Sequence, residues 1–503
     1  MLSRFRFYWV VGGCGAILMA LEMLSSRVLA PYFGNSVYVW GSIISVFLAA
    51  LSLGYLWGGR LADRNPSMAA LGRLLAFAAS FQALLLVVGQ PLAGWLGDLT
   101  GGTPSGTLLA TTVLFGPASI LLATVSPYAV RLAIQDLGTA GNTAGRLYAL
   151  STLGSLAGTL GCTFVLIPYL ELRQAIALLA ALTAATAVLA LSGAFRSQVA
   201  ATVMAGLLVL ACLPAVFSRV QLRGDVLYER VTPYQTLLVR EKAGVRTLES
   251  DRIKQAAVRL ADGEPALQYP RWSPAGLLLA PRVERMLVIG LGGGSAGGYL
   301  QSRMRSLRVD SVDIDPVVPD VARRFLLFRP GPRDRVTIAD GRSFLRRAEE
   351  RWDYIYSDTY IGLSVPFHLT TVQFLDEVKR DLQPEGVFGV NLAAGLNDPF
   401  SQAIYNTVRE RFRSVYLFRV RGTANVLVLA TEQPEVSPER LRARAAELDR
   451  TLRFDPTLAE IAASRFQGGF VSRDVPVLTD EYAPTDRLIR LGQERMPEKT
   501  PSP

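Results

Sequence analysis

The stretch Met286-Leu-Val-Ile-Gly-Leu-Gly-Gly-Gly-Ser-Ala-Gly-Gly-Tyr299 decides how this chain is read. An apolar run of strand character breaks into a glycine cluster and resumes with the pattern of a helix. Residues without a Cβ permit positive φ and let backbone N–H groups approach a ligand closely, so Gly290, Gly292, Gly293 and Gly294 form a candidate nucleotide cradle. Asp313 closes the next apolar run, Val309 to Ile314, where a carboxylate is placed to accept both hydroxyls of a ribose. Glycine clusters also mark ordinary tight turns, so the meaning of the loop depends on what surrounds it.

Towards the C-terminus the pattern alternates. Strands are predicted at Met286–Ile289, Val309–Ile314, Val336–Ile338, Tyr354–Ser357 and Val387–Leu392, with a helix after each. That alternation predicts an α/β domain with a parallel sheet covered by helices on both faces, and ligands bind beyond the carboxyl ends of such strands. Asp313 and Asp315 follow the second strand, Asp340 in Ala-Asp-Gly341 the third, and Asp358 the fourth. A single aspartate at a strand end commonly caps a helix or forms a turn, but several on one edge beside a glycine loop point to a site. Before the loop, Val226–Leu260 contains short strand-like pieces and predicts a small β-region; after the sheet, Pro438–Asp449 predicts a charged amphipathic helix.

The N-terminal part is different in kind, being nearly all apolar or small up to Phe217, with charge becoming dense beyond Arg219. Seven hydrophobic runs can be drawn: Tyr8–Met23, Val37–Trp57, Leu74–Val88, Leu108–Val125, Leu147–Ile167, Ala175–Leu191 and Val199–Phe217. Several approach the roughly 20 residues a helix needs to cross ~30 Å of hydrocarbon. The expected organisation is therefore a helical transmembrane domain at 1–218, a small β-region at 219–280, a nucleoside-binding α/β domain at 281–435 and a helical or irregular tail at 436–503. Gly154 and Gly158 have the spacing that lets two membrane helices approach closely. The net charge of +10 comes without a basic stripe interleaved with aromatics, so a membrane protein with arginine-rich loops is expected rather than a nucleic-acid binder.

Arg4, Arg6, Arg60, Arg64, Arg73, Arg131, Arg146 and Arg196 fall on one side if all seven runs cross, which puts the N-terminus in the cytoplasm. Seven crossings would then carry the α/β domain away from cytoplasmic nucleotides. The expectation is that one run does not cross and that the soluble domain is cytoplasmic, on a multi-pass bacterial inner-membrane protein. Cys14, Cys162 and Cys212 all lie in hydrophobic runs without metal-ligand spacing, so neither disulfides nor a metal is expected.

Taken together, Tyr234-Gln235, the glycine loop, Val312-Asp-Ile-Asp-Pro316, Ala339-Asp-Gly341, Trp352-Asp-Tyr-Ile-Tyr-Ser-Asp358 and Gln383-Pro-Glu-Gly386 resemble the spermidine synthase (polyamine aminopropyltransferase) family, a branch of the class I methyltransferase fold. The match is to its membrane-fused bacterial members. Glu22 to Arg64 and the tail segment Asp474 to Arg487 share the resemblance. It implies a sulfonium donor, S-adenosylmethionine or its decarboxylated form, as co-substrate. It further implies that Asp313 holds the ribose, Ile314 packs on the adenine, Asp340 with Gly341 meets the adenine amino group, and Gln235 helps place the donor.

Asp358 takes the place of the catalytic aspartate that orients and deprotonates an amine. Tyr360 joins it, and Tyr234, Tyr356, His368, Asp480 and Glu481 are candidates for acceptor contact. A homodimer and a small amine or amphipathic acceptor drawn from the bilayer complete the expectation.

Three positions depart from the family pattern. Gly293 stands where the loop usually carries an acid, Asp358-Thr-Tyr-Ile-Gly362 lacks a second aspartate, and the family's tyrosine-histidine-glutamate element is reduced to Tyr269-Pro-Arg271. Each missing group would hold a polyamine or the donor's free amine. Two other functions therefore stay open: methyl transfer from S-adenosylmethionine to a membrane-associated substrate, and a sensor or transporter that binds a nucleoside or polyamine without turnover.

Overall fold

The computed structural model describes residues 2–34, 36–101, 103–134, 136–191, 224–360, 365–467 and 474–494. The chain divides into two compact units, Met1–Gln221 with Arg230–Pro233, and Leu222–Glu229 with Tyr234–Pro503.

In the first unit, six helices are long and apolar enough to cross a membrane: α1 (Arg6–Phe33), α2 (Val37–Arg64), α3 (Met68–Thr100), α4 (Pro104–Ala133), α5 (Ala140–Tyr169) and α6 (Leu172–Leu191). They are apolar on their outer as well as inner faces. Trp57, Phe77, Val87, Trp95 and Phe164 are all at least half exposed, which suits a lipid solvent. The Gly154/Gly158 spacing produces the close approach it allows. A Cβ on Gly154 would stand 3.0 Å from the Cα of Gly12, and one on Gly158 2.6 Å from the Cα of Ala16, so α1 and α5 meet backbone to backbone. The seventh predicted run, Val199–Phe217, lies outside the described residues.

A four-stranded sheet comes next in the chain, of β1 (Val226–Val231), β2 (Thr236–Lys242), β3 (Val245–Ser250) and β4 (Ile253–Arg259), in the order β1-β2-β3-β4, with β3 antiparallel to both β2 and β4. A second sheet follows, built from β5 (Arg285–Ile289), β6 (Arg308–Asp313), β7 (Asp334–Ile338), β8 (Trp352–Ser357), β9 (Leu382–Leu392), β10 (Ser414–Arg419) and β11 (Val426–Thr431). Its order is β10-β11-β9-β8-β5-β6-β7. The first five strands are parallel, as the alternation predicts. The last two are an addition that it does not predict, since β11 runs antiparallel to both β9 and β10. Residues 420–425 are too few for a parallel crossover, which needs a dozen or more, so the chain turns back as a hairpin.

Helices α7 (Ser295–Gln301), α8 (Val317–Phe325), α9 (Gly341–Arg347), α10 (Val372–Asp381) and α11 (Pro399–Arg411) connect the strands, and α12 (Pro438–Leu448), α13 (Leu458–Ala463) and α14 (Thr485–Glu494) follow. Met286 to Ile289 of β5 are at most 3% exposed, being covered on both sheet faces. Because β5 pairs with β6 on one side and β8 on the other, the crossovers leave it in opposite directions and open a crevice at its carboxyl end. This strand order, with an antiparallel seventh strand, is the class I methyltransferase fold.

Candidate active site

The glycine loop lies at that crevice. Gly290 has φ +92° and its N–H donates to Val312 O (2.8 Å), while Gly294 has φ +71° at the N-cap of α7. A side chain at Gly290 would run into the backbone carbonyl of Asp358, so β5 and β8 finish nearly in contact. The loop then serves its neighbour. Leu291 N–H donates to Asp313 Oδ2 (3.0 Å) and Asp315 N–H to Asp313 Oδ1 (2.9 Å), so both oxygens of Asp313 are fixed by backbone. Burial pushes the Asp313 carboxyl up to about 6, against the pull of those donors.

A cleft of about 990 Å³ opens here, lined by Gln235, Gly290, Gly292, Gly293, Asp313, Ile314, Asp340, Gly341, Asp358, Tyr360 and His368 among others. It gathers most of the expected donor residues. Gln235 is tied to its floor by Nε2, which donates to buried Asp315 Oδ2 (3.2 Å). Asp340 caps α9 by accepting from Ser343 N–H at 2.8 Å, and its other oxygen lies 2.8 Å from His368 Nε2. Those hydrogen bonds hold the Asp340 carboxyl below its usual range even though burial, the largest influence, opposes them.

A second cleft of about 950 Å³ adjoins the first. It is lined by Lys254, Gln268, Asn391, Asp398, Phe400, Thr423, Asn425 and Ile489, and shares Gln255, Tyr269, Asp358 and Tyr360 with its neighbour. Asp358 therefore stands at the junction of two lobes. Asn391 Nδ2 donates to Asp358 Oδ1 (2.9 Å), and Asn391 Oδ1 in turn accepts from Asn425 Nδ2 (3.0 Å). Burial pushes the Asp358 carboxyl up to about 6, with the hydrogen bonds from Asn391 and Tyr269 pulling the other way. Tyr269 lies between two oxygens, since its hydroxyl also donates to Gln255 O (2.6 Å). With one proton for two acceptors, its hydroxyl donates to one of them at a time, and burial beside Asp358 raises its own ionisation well above the ordinary tyrosine value. Tyr360 lines both lobes, and its hydroxyl accepts from Ala393 N–H (2.7 Å).

Several expected acceptor residues lie elsewhere. Tyr356 is 0% exposed and packs edge-on against Tyr354 in the core, because its place in β8 directs it under the sheet. Tyr234 lines neither lobe and is 36% exposed. Asp480 is taken by buried Arg342, which grips both its oxygens at 2.8 Å, and by the Thr371 hydroxyl at 2.7 Å. Glu481 is exposed and lines neither lobe. His368 sits in the donor lobe on Asp340 rather than among the acceptor residues.

Sequence reading singled out neither Asn391, Asn425 nor Gln255. An asparagine closing an apolar strand was the available signal for Asn391. The reduced element also resolves: Tyr269 keeps its place at Asp358, while Arg271 is buried in an ion pair with Asp455. Residues 361–364, which complete the run after Asp358, lie outside the described residues. Among the described residues, no group of three or more His, Cys, Asp or Glu side chains converges as a metal site would.

A crevice at the topological switch point, with a buried carboxylate after β6 and another after β8, is the site that the class I methyltransferase fold presents. A family described as "Spermine/spermidine synthase domain" matches residues 274–421. The polyamine aminopropyltransferase of Chromobacterium violaceum is 32% identical over 222 residues, covering 42% of this chain and 82% of that protein. That of Vibrio vulnificus is 29% identical over 286 residues, covering 53% of this chain and 92% of that protein. The human eEF1A lysine and N-terminal methyltransferase is 33% identical over 186 residues, 33% of this chain and only 26% of that protein. The chain belongs to the spermine/spermidine synthase family.

Proposed function

We propose that the chain is a membrane-anchored transferase that moves an alkyl group, aminopropyl or one related to it, from a sulfonium nucleoside to an amine. The observation that carries this reading is the meeting of two lobes at Asp358. In the first, Asp313 holds the ribose hydroxyls, Ile314 and Gly341 bracket the adenine, and Asp340 accepts its amino group. In the second, an ammonium is drawn to Asp358 and gives it a proton. The amine lone pair then forms a C–N bond to the carbon beside S⁺ as the C–S bond breaks, and its electrons remain on sulfur as a neutral thioether.

The sulfonium is already a good leaving group, so alignment and deprotonation are the protein's part. A carboxyl raised to about 6 by burial is better matched to that second task at neutral pH than an ordinary aspartate. Asn391 and Tyr269 keep it oriented.

A second reading, methyl transfer from S-adenosylmethionine itself, draws support from Gly293. A Cβ there would stand 2.7 Å from the Cβ of Ala256, so the wall at this point is neutral and closed, with no acid to repel a donor carboxylate. Calorimetry of the full-length protein with S-adenosylmethionine and with its decarboxylated analogue, followed by mass analysis of products, separates the two. Binding of neither donor would sink both readings. Binding without any thioether product would turn the assignment towards a sensor. A cytoplasmic soluble unit on a bacterial inner membrane belongs to the same proposal, and protease accessibility in right-side-out vesicles tests it.

A further inference from the structure

The acceptor lobe does not end at Asp358. A third cleft, lined by Gly395, Leu396, Asn397, Arg419, Ala424 and Val426, shares Asp398, Thr423 and Asn425 with the second. The lobes therefore form one run from the nucleoside end, past Asp358, to Arg419. Two carboxylates and two cations line its acceptor part: Asp358, Asp398, Lys254 and Arg419.

The carboxylates are engaged. Asp358 accepts from Asn391, and Asp398 caps α11 by accepting from Phe400 N–H (2.8 Å), where the helix N-terminus favours its charge. Gly492 presses on the same carboxylate with no room for a side chain. Among the described residues the cations are not engaged by acids. Arg419 stacks on the Phe466 ring at 5.0 Å, and neither it nor Lys254 takes part in an ion pair among the described residues. The residue facing Lys254 across the β3–β4 ladder, Glu249, is paired with Arg240 (3.5 Å).

A diamine would carry two positive charges into this groove and bring its far ammonium towards these cations. An acceptor with an amine at one end and an anionic group at the other would meet an acid at Asp358 and the two cations further along, where Asp398, the other acid of the run, is already held at the N-terminus of α11. We propose, resting on the transferase reading, that the acceptor is an amine bearing a carboxylate or phosphate, with the amine at Asp358 and the anion held by Lys254 and Arg419. The transfer step itself is unchanged. The amine nitrogen bonds to the carbon beside S⁺, the C–S electron pair stays on sulfur, and the ammonium proton passes to Asp358.

Matched amines test this with the full-length protein in detergent and labelled donor. Ornithine is 1,4-diaminobutane with a carboxylate added, and phosphoethanolamine is ethanolamine with a phosphate added. We expect at least one anionic member to exceed its bare partner in kcat/KM by about tenfold or more, the worth of one charge-assisted hydrogen bond. Which pair responds tells carboxylate from phosphate. Arg419→Gln and Lys254→Gln should each cut the preference at least threefold. Equal or better use of both bare amines, or a preference that both variants leave intact, overturns the proposal while the transferase reading stands. Failure of every amine to consume bound donor removes the transferase reading and this proposal with it.

Discussion

The two lobes that meet at Asp358 are built by different means. In the donor lobe the carboxylates rest mainly on backbone N–H groups at neighbouring strand ends, with His368 added at Asp340 and Gln235 at Asp315. Asp313 takes N–H groups of Leu291 and Asp315, and Asp340 takes that of Ser343. In the acceptor lobe, Asp358 is oriented by side chains brought from afar, Asn391 at a separation of 33 residues and Tyr269 from before the glycine loop. A backbone cradle suits a ligand that is common to many reactions. A side-chain wall can change its contacts without changing the fold, and that is where one member of such a family would differ from another.

If the lobes are separable in this way, the largest single effect is at their junction. Asp358→Asn keeps the shape but removes the base, and product formation should fall by about 10²- to 10⁴-fold. The affinity for the donor should move less than threefold by calorimetry. Loss of donor affinity in proportion to activity would show that the lobes act as one site.

The reverse pattern is expected for Asp313→Ala: a donor Kd weakened by about 10- to 100-fold, as for loss of charged hydrogen bonds, with kcat at saturating donor changed much less. The ionised carboxylate is the form that accepts ribose hydroxyls. With Asp313 raised to about 6, donor affinity should therefore weaken as pH falls through that value. Stability runs the other way. A carboxyl raised from 3.8 to about 6 by burial contributes stability that is complete below the lower value and is lost as pH rises through the higher one. Ionised Asp313 and Asp358 are thus kept at neutral pH at a cost to the fold.

This division also explains what could be read in advance. The parallel strands, the loop and the aspartates at the strand ends are local patterns, each legible within some ten residues of sequence. The seventh strand was not, because its direction follows from the short connection after Arg419 rather than from its own composition. Asp480 illustrates the remaining difficulty. Beside an exposed tyrosine it looked available to a cationic ligand, yet its cation is Arg342, a residue from a helix 138 positions earlier. Pairings over that distance are set by tertiary packing, and no periodicity announces them. Gly293 was legible as a departure, while its cause, the close packing of Ala256 and Leu326, was not.

That packing permits a third test, on the donor side. Gly293→Asp forces a Cβ to within 2.7 Å of Ala256 Cβ and 3.1 Å of Leu326 Cδ1. Overpacking of this kind costs about 1–3 kcal/mol, so the second unit should melt several degrees lower. Adding Ala256→Gly should return part of that loss. If the single variant is as stable as the parent, the wall is looser than the geometry indicates, and an acid at this position would be compatible with the fold after all.

The smallest expected effect lies in the acceptor lobe, in the amide that orients the base. Asn391 donates to Asp358 Oδ1 and so favours its ionised form. Measured at saturating donor and amine, activity should fall as pH drops through about 6, where Asp358 takes up its proton. In Asn391→Ala that limb should shift upward, by less than about one pH unit for one lost hydrogen bond, with a fall in kcat of about tenfold or less as the carboxylate loses its orientation. A purely structural role would lower activity at every pH alike and leave the midpoint in place. A downward shift would mean that Tyr269, freed from competition, gives its one proton to Asp358 rather than to Gln255 O and is then the principal support of the base.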